Sequence, residues 1–184
     1  MMVYMEPNEK IRAIDPSVLR IVKYPDPRLR EVCTPVEAVD SSVRALVEKM
    51  WQIMLDGHGV GLAAPQVGIT VRLFVASPPF SSDDLRVYIN PTIIAAQGTM
   101  EDDEGCLSFP GIRCNIKRNS IVTVEALDLT GQTFQETVGD LAARIIQHEY
   151  DHLEGRLLVD RMGSVARLTH RRALKELEAQ FQPA

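Results

Sequence analysis

Gln147-His148-Glu149-Tyr150-Asp151-His152 is the stretch that decides how this chain is read. It carries H-E-x-x-H inside a segment whose apolar residues recur at helical spacing, from a cap at Asp140 to a stop at Gly155. Positions i and i+4 of a helix lie one turn apart on one face, so His148 and His152 can aim two imidazole nitrogens at one ion. Glu149 lies on the same turn, close enough to exchange protons with a water at that ion without becoming a ligand. Leu141, Ile145, His148 and His152 form one continuous stripe, so the imidazoles take positions that packing would fill with aliphatic side chains. A core does not accept two imidazoles there without a partner for them.

A metal site of this kind needs a third ligand. A metzincin-type protease would continue H-x-x-G-x-x-H, and Gly155 occupies the glycine position, but Leu158 stands where the third histidine belongs. Gly155 then reads as the left-handed residue that ends the helix. The remaining candidate is Cys106, in Glu104-Gly105-Cys106-Leu107-Ser108. Three cysteines cannot all pair within one chain, so reduced thiols are expected, with Cys33 and Cys114 as packed thiols. His58 reads as a loop residue.

Outward from this helix the pattern is α+β. Val43, Leu46, Val47, Met50, Ile53 and Met54 predict a helix capped by Asp40, Ser41 or Ser42 and ended by Gly57. Strands are predicted at 71–76, 86–90, 120–128 and 132–138, the last two joined by a hairpin at Asp128-Leu129-Thr130-Gly131. Pro25-Asp26-Pro27 marks a loop, and Ser81-Ser82-Asp83-Asp84 after Pro78-Pro79 an exposed one. Helices at both ends of a run of strands predict α+β, with mixed or antiparallel sheets around a central metal-binding helix. The 184 residues are expected to form a single domain, with 1–18 as a loose or wrapped N-terminal arm and 164–181 as a C-terminal helix.

Bulk composition narrows the partners. With 20 Lys and Arg against 25 Asp and Glu the net charge is −5, which provides no overall basic field for nucleic acid, so specific DNA binding is not expected. No apolar run approaches the ~20 residues that span a bilayer, and Met1-Met2-Val3-Tyr4-Met5-Glu6 lacks the pattern of a signal peptide. Glu6, Glu9 and Asp15 disfavour a transit peptide; a cytoplasmic protein is expected, with an organellar one as the alternative. The cluster Arg167, His170, Arg171, Arg172 and Lys175 reads as a solvated helix face, with transient docking on the ribosome as the alternative.

A third segment, Gly59-Val60-Gly61-Leu62-Ala63-Ala64-Pro65-Gln66, alone reads as a tight turn with close packing. Taken in order, G-x-G-L-A-A-x-Q, E-G-C-L-S and Q-H-E-x-D-H resemble the motifs of the peptide deformylases, from about Leu19 to Met162. That resemblance implies a hydrolase that removes the formyl group from the N-terminal formylmethionine of newly made chains and releases formate. It implies one divalent ion, natively Fe(II), with Zn, Ni or Co able to replace it, held by Cys106, His148 and His152. A water on that ion would attack the formyl carbonyl, with Glu149 as general acid and base. Gln66 and the backbone N–H of Leu107 would stabilise the developing oxyanion, and Gly61 falls among the catalytic residues of the same motif.

On the substrate side the resemblance implies Val60, Leu141 and Ile145 around a methionine pocket and Arg113 near the peptide backbone. Glu104 and Arg144 are placed with them: the Arg144 guanidinium is expected to reach solvent, the alternative being a pairing with Glu104. Asp151 is expected to pair with Arg118 and hold the ligand helix. Two other functions compete, a zinc-type metallopeptidase on the same helix and a catalytically silent deformylase-like protein.

Overall fold

The computed structural model describes residues 7–77 and 84–182. Along the chain, α1 (Pro7–Arg12) and α2 (Ser41–Asp56) precede strands β1 (Gly61–Ala63), β2 (Leu73–Ala76), β3 (Arg86–Gln97), β4 (Met100–Gly105), β5 (Arg113–Arg118), β6 (Ile121–Leu127) and β7 (Thr133–Gly139). Then follow α3 (Asp140–Leu153), α4 (Leu158–Arg161), α5 (Ser164–Thr169) and α6 (Arg171–Gln180).

The strands form a five-stranded sheet in the order β1-β2-β3-β6-β7 and a two-stranded ribbon, β4-β5. Every strand pairing is antiparallel, so the mixed alternative is dropped; a lone parallel bridge links Thr34 and Val71. β3 runs well past the predicted Asn90 because two register shifts against β6, after Ile89 and after Ile93, carry it across Pro91, which has no N–H to give the ladder. Asn90, at φ 51°, turns its amide to Val36, accepting from the Val36 N–H at 2.8 Å and donating to its carbonyl at 2.7 Å.

α2 forms where the 3.6-residue period predicts it. The Asp40 carboxylate caps it, accepting from the N–H groups of Ser42 and Val43 at 3.0 and 3.2 Å. Its buried face, Val43, Leu46, Val47, Met50 and Met54, packs with Leu62, Leu73, Val75 and Ile89 into one core. α3 lies on the sheet with Ala143, Ile145, Ile146 and Leu153 against Phe74, Tyr88, Val122 and Val124. Gly155, at φ 66°, ends α3 in the left-handed conformation, and a side chain there would strike the backbone of Arg30, with Cβ 2.9 Å from its carbonyl carbon.

Several expectations change. The N-terminal arm is not loose among the described residues, since α1 buries Asn8 and Ile11 against α2 and Arg12 pairs with Asp40 at 2.5 Å. The C-terminal helix is two helices, broken at His170. The expected cap at Asp140 is replaced by Gly139, which offers no side chain, Asp140 being the first residue of α3; β1, β4 and β5 were not among the predicted strands. Readings that rest on residues 1–6 and on Pro78 to Asp83 lie outside the described residues.

Candidate metal centre

α3 and the turn between β4 and β5 bring three donors together. The ligand atoms of Cys106, His148 and His152 all lie within 4.8 Å of one another, with Cys106 Sγ 3.3 Å from His152 Nε2. The two imidazoles project from one face of α3, their ring centroids 5.1 Å apart, as the i, i+4 spacing requires. Cys106 follows directly on β4, whose last residues Glu104 and Gly105 pair with Cys114 and Arg113. Ligand helix and ribbon thus supply the donors from opposite sides.

A buried charge cluster holds the two halves in register. Glu104 is 5% exposed, and its Oε1 accepts from Arg118 Nε at 2.8 Å and Arg144 Nη1 at 2.7 Å. Its Oε2 accepts from Arg118 Nη2 at 3.0 Å and stands 3.0 Å from His148 Nδ1. A carboxylate on Nδ1 fixes the ring and turns Nε2 toward the other donors. Arg118 also donates to Asp151 Oδ2 at 2.5 Å, the expected pair, and Asp151 receives Arg161 as well, through Nε at 2.9 Å and Nη2 at 2.5 Å. Burial works against ionised Glu104, but its bonds with His148 and Arg118 outweigh that and hold its pKa well below the usual carboxylate range.

Arg144 corrects the sequence reading. Its guanidinium does not reach solvent: the residue is 3% exposed, and Nη1 bonds both Glu104 and the Ile116 carbonyl, the latter at 2.9 Å. Glu104 and Arg144 are therefore joined in the buried cluster beside the ligand helix. The outcome follows from tertiary placement, because on that flank of α3 the guanidinium meets β4 and β5 where an isolated helix would meet water.

Glu149 is buried beside the donors, and burial raises its pKa to about 7, with the positive charge of His148 partly offsetting the rise. Its Oε2 has no hydrogen-bond partner among the described residues. Burial would lower the His148 pKa, yet bonds with Cys106 and Glu104 hold it well above its ordinary value, whereas burial keeps His152 well below. A thiol and two imidazoles this close, one ring oriented by a carboxylate and an unpartnered carboxylate oxygen alongside, fit a divalent ion of borderline softness.

Gln66 closes the site from the sheet. It lies in a 3-10 turn, Ala64–Val67, that ends at Gly68 with φ 84°. The Ala63 N–H donates to Gln66 Oε1 at 2.9 Å, which commits the amide oxygen and leaves Nε2 facing Cys106 Sγ at 3.4 Å and Ser108 Oγ at 3.2 Å. Leu107 packs against the glycines of the same loop: a Cβ on Gly57 or Gly59 would stand 3.0 or 2.9 Å from its methyl carbons. Arg113 folds over Gly105, where a Cβ would lie 2.8 Å from Nη1, and pairs with Asp103 at 2.5 Å. Val60 and Leu141 are exposed, at 46% and 43%, while Ile145 is buried on the side of α3 that meets the sheet. Sequence reasoning missed the share of Arg161 in this network; no spacing in the chain signals it.

Fold and donor set define the class: an α+β protein built round an H-E-x-x-H helix, with a Cys-His-His group suited to a divalent ion. Residues 18–168 match the family described as Polypeptide deformylase, and the chain belongs to that family. Peptide deformylase of Pseudomonas aeruginosa is 41% identical over 167 residues, covering 90% of this chain and 98% of that protein. The chloroplastic/mitochondrial peptide deformylase 1B of Arabidopsis thaliana is 41% identical over 168 residues, 89% of this chain and 61% of that one. A crystal structure of a peptide deformylase from Legionella pneumophila superposes with a TM-score of 0.81 at 41% identity, over 90% of this chain and all of that one. Members of this family are metal-dependent hydrolases that remove the N-formyl group from nascent peptides, and that is the activity of this chain. Neither the metallopeptidase nor the silent alternative is favoured.

Proposed function

We propose that deformylation here runs at a divalent ion held by Cys106, His148 and His152, natively iron, with Glu149 as the proton-transfer group. The observation that supports this most is the placement of Glu149, buried beside three convergent donors with one oxygen unpartnered, where burial raises its pKa to about 7. When bound, the ion supplies Lewis acidity and lowers the pKa of water at the site. Glu149 takes the proton of the attacking water and hands it to the departing amine, which a group with a pKa near neutrality does efficiently in both directions.

As the formyl carbonyl becomes tetrahedral, its oxygen gains charge. The Gln66 amide supplies a neutral donor there, aimed by the bond that fixes its oxygen to Ala63, and the Leu107 N–H supplies a second. Gly61 keeps the strand beside Glu149 free of a side chain. Val60, Leu141 and Ile145 form the apolar wall for methionine, and Arg113, at the exposed rim, holds the peptide beyond it.

Formate release from formyl-Met-Ala-Ser by the metal-loaded protein, with Glu149→Ala as control, tests this reading. Release by wild type and none by the variant at equal metal content supports it; a metal-loaded wild type without release overturns it. The whole chain acts as one unit in this scheme, in the cytoplasm. No helix among the described residues is long and apolar enough to cross a membrane. Contact with the ribosome rests on exposed Arg171, Arg172 and Lys175 of α6, with Arg167, also exposed, bonded to the Val159 carbonyl at 2.6 Å; absence of salt-sensitive cosedimentation removes it.

A further inference from the structure

A cavity of about 390 Å³ lies between β5 and the flank of α3, and none of the three metal donors lines it. Lys117, Arg118, Arg156 and Arg161 line it, and Asp151 is the one acidic residue among its walls. Asp151 has nothing left to give, because both of its oxygens already accept from Arg118 and Arg161. Arg118 is buried and shared with Glu104, whereas Arg156, Arg161 and Lys117 are exposed at the mouth. Among the described residues no acid lies within ion-pair distance of Arg156 or Lys117; Glu101 stands opposite Lys117 in the β4-β5 register without forming a salt bridge.

Of these four cationic heads, Arg118 and Arg161 are offset by Glu104 and Asp151, while Lys117 and Arg156 have no carboxylate partner among the described residues. Like charges gathered in a cleft repel one another, and the protein walls concentrate their field. A bound anion relieves that repulsion. We propose that this cavity is a binding site for a phosphate monoester or free phosphate, an assignment that stands apart from the metal chemistry. Guanidinium groups present paired N–H donors that match phosphate oxygens, and a lysine adds a point charge, so a dianion with several acceptors fits better than a single carboxylate. The volume is in the range of small-molecule sites, roughly 300–1,000 Å³, which leaves room for a group attached to the phosphate.

Isothermal titration of the metal-loaded protein with inorganic phosphate and with AMP, at an ionic strength fixed by potassium chloride, tests the proposal. Saturable binding is expected for wild type and at least tenfold weaker binding for Lys117→Gln/Arg156→Gln, which should keep wild-type formate release and circular dichroism. Equal affinity for the two titrants assigns the site to the phosphate group alone, and tighter AMP binding assigns it to the ester. Absence of saturable heat with either titrant, or undiminished affinity in the double variant, overturns the proposal. Neither result touches the deformylation reading, which is scored by formate release.

Discussion

The bare α-carbon of Gly61 lies against the carboxylate of Glu149, so close that a methyl group added there would stand 2.8 Å from the carboxylate carbon and 2.9 Å from Cγ. Neither distance is tolerable, and Glu149 is walled in by burial on its other sides. Gly61→Ala must therefore push the carboxylate off its position. Misplacement of a reacting group by about an ångström costs on the order of a hundredfold in rate. We expect kcat/KM for formyl-Met-Ala-Ser to fall by roughly 10- to 100-fold, with metal content and thermal unfolding close to wild type. A variant as fast as wild type would remove Glu149 from the role given to it.

The pH dependence of stability should carry the mark of the same carboxyl. Burial raises its pKa to about 7, above the roughly 4.3 of an unfolded glutamate. The folded state therefore holds the proton more tightly than the unfolded state. What Glu149 contributes to stability is complete below about pH 4 and is lost as pH rises through about 7. In chelated protein, Glu149→Gln should gain on wild type as pH rises from about 4 to about 7, and the difference should level off above that. Urea unfolding across that range measures it; a constant difference between the two proteins would contradict the assignment.

Removing Glu104 strands several partners at once. Glu104→Ala leaves Arg118 with Asp151 alone, leaves Arg144 with the Ile116 carbonyl, and frees the His148 ring to rotate. Breaking a buried charge cluster on one side costs about 3–5 kcal/mol, and loss of a carboxylate behind a ligating histidine weakens metal binding by about 10- to 100-fold. Urea unfolding and competition against a chelator read the two effects separately. Wild-type metal affinity in a folded Glu104→Ala protein would show that His148 needs no such support.

A thiolate among the ligands makes the bound metal matter for lifetime as well as rate. The iron-loaded protein should lose activity in air faster than the nickel-loaded protein, because ferrous iron beside Cys106 reacts with oxygen and exposes the sulfur to oxidation. Half-lives of formate release under air and under nitrogen decide it, and equal decay of the two metal forms in air would dispose of the idea. Cys33 should survive intact in either case, since burial pushes its thiol up to about 12 and keeps it protonated.

Much of this was legible in the chain, and what was not has a physical explanation. α2 and α3 could be read because their apolar residues keep the helical period up to a closing glycine, although only α2 has the capping acid expected of it, Asp40. The histidine pair, Glu149 and the neighbourhood of Cys106 were local in the same sense. β4 was invisible because Met100-Glu101-Asp102-Asp103-Glu104-Gly105 carries four acids and no β-branched residue, the composition least favoured in strands. It becomes a strand by pairing with the basic β5, where Asp103 meets Arg113 and Glu104 meets Arg118. The true position of Arg144 was hidden for the same reason, since its partner Glu104 comes from 40 residues earlier and no periodicity joins them. The break at His170 leaves no composition signal, as the sequence on both sides is equally helical.

The two ligand sources also have a mechanical consequence. Cys106 and His152 are 46 positions apart, so an ion that grips both closes a long loop of chain much as a disulfide would. On the entropic account of such cross-links, a tie of that span disfavours the unfolded ensemble by about 4 kcal/mol. The centre that breaks the formyl bond is by this measure also a rivet, and stripping the ion should loosen the seam between ribbon and helix before it disturbs the sheet.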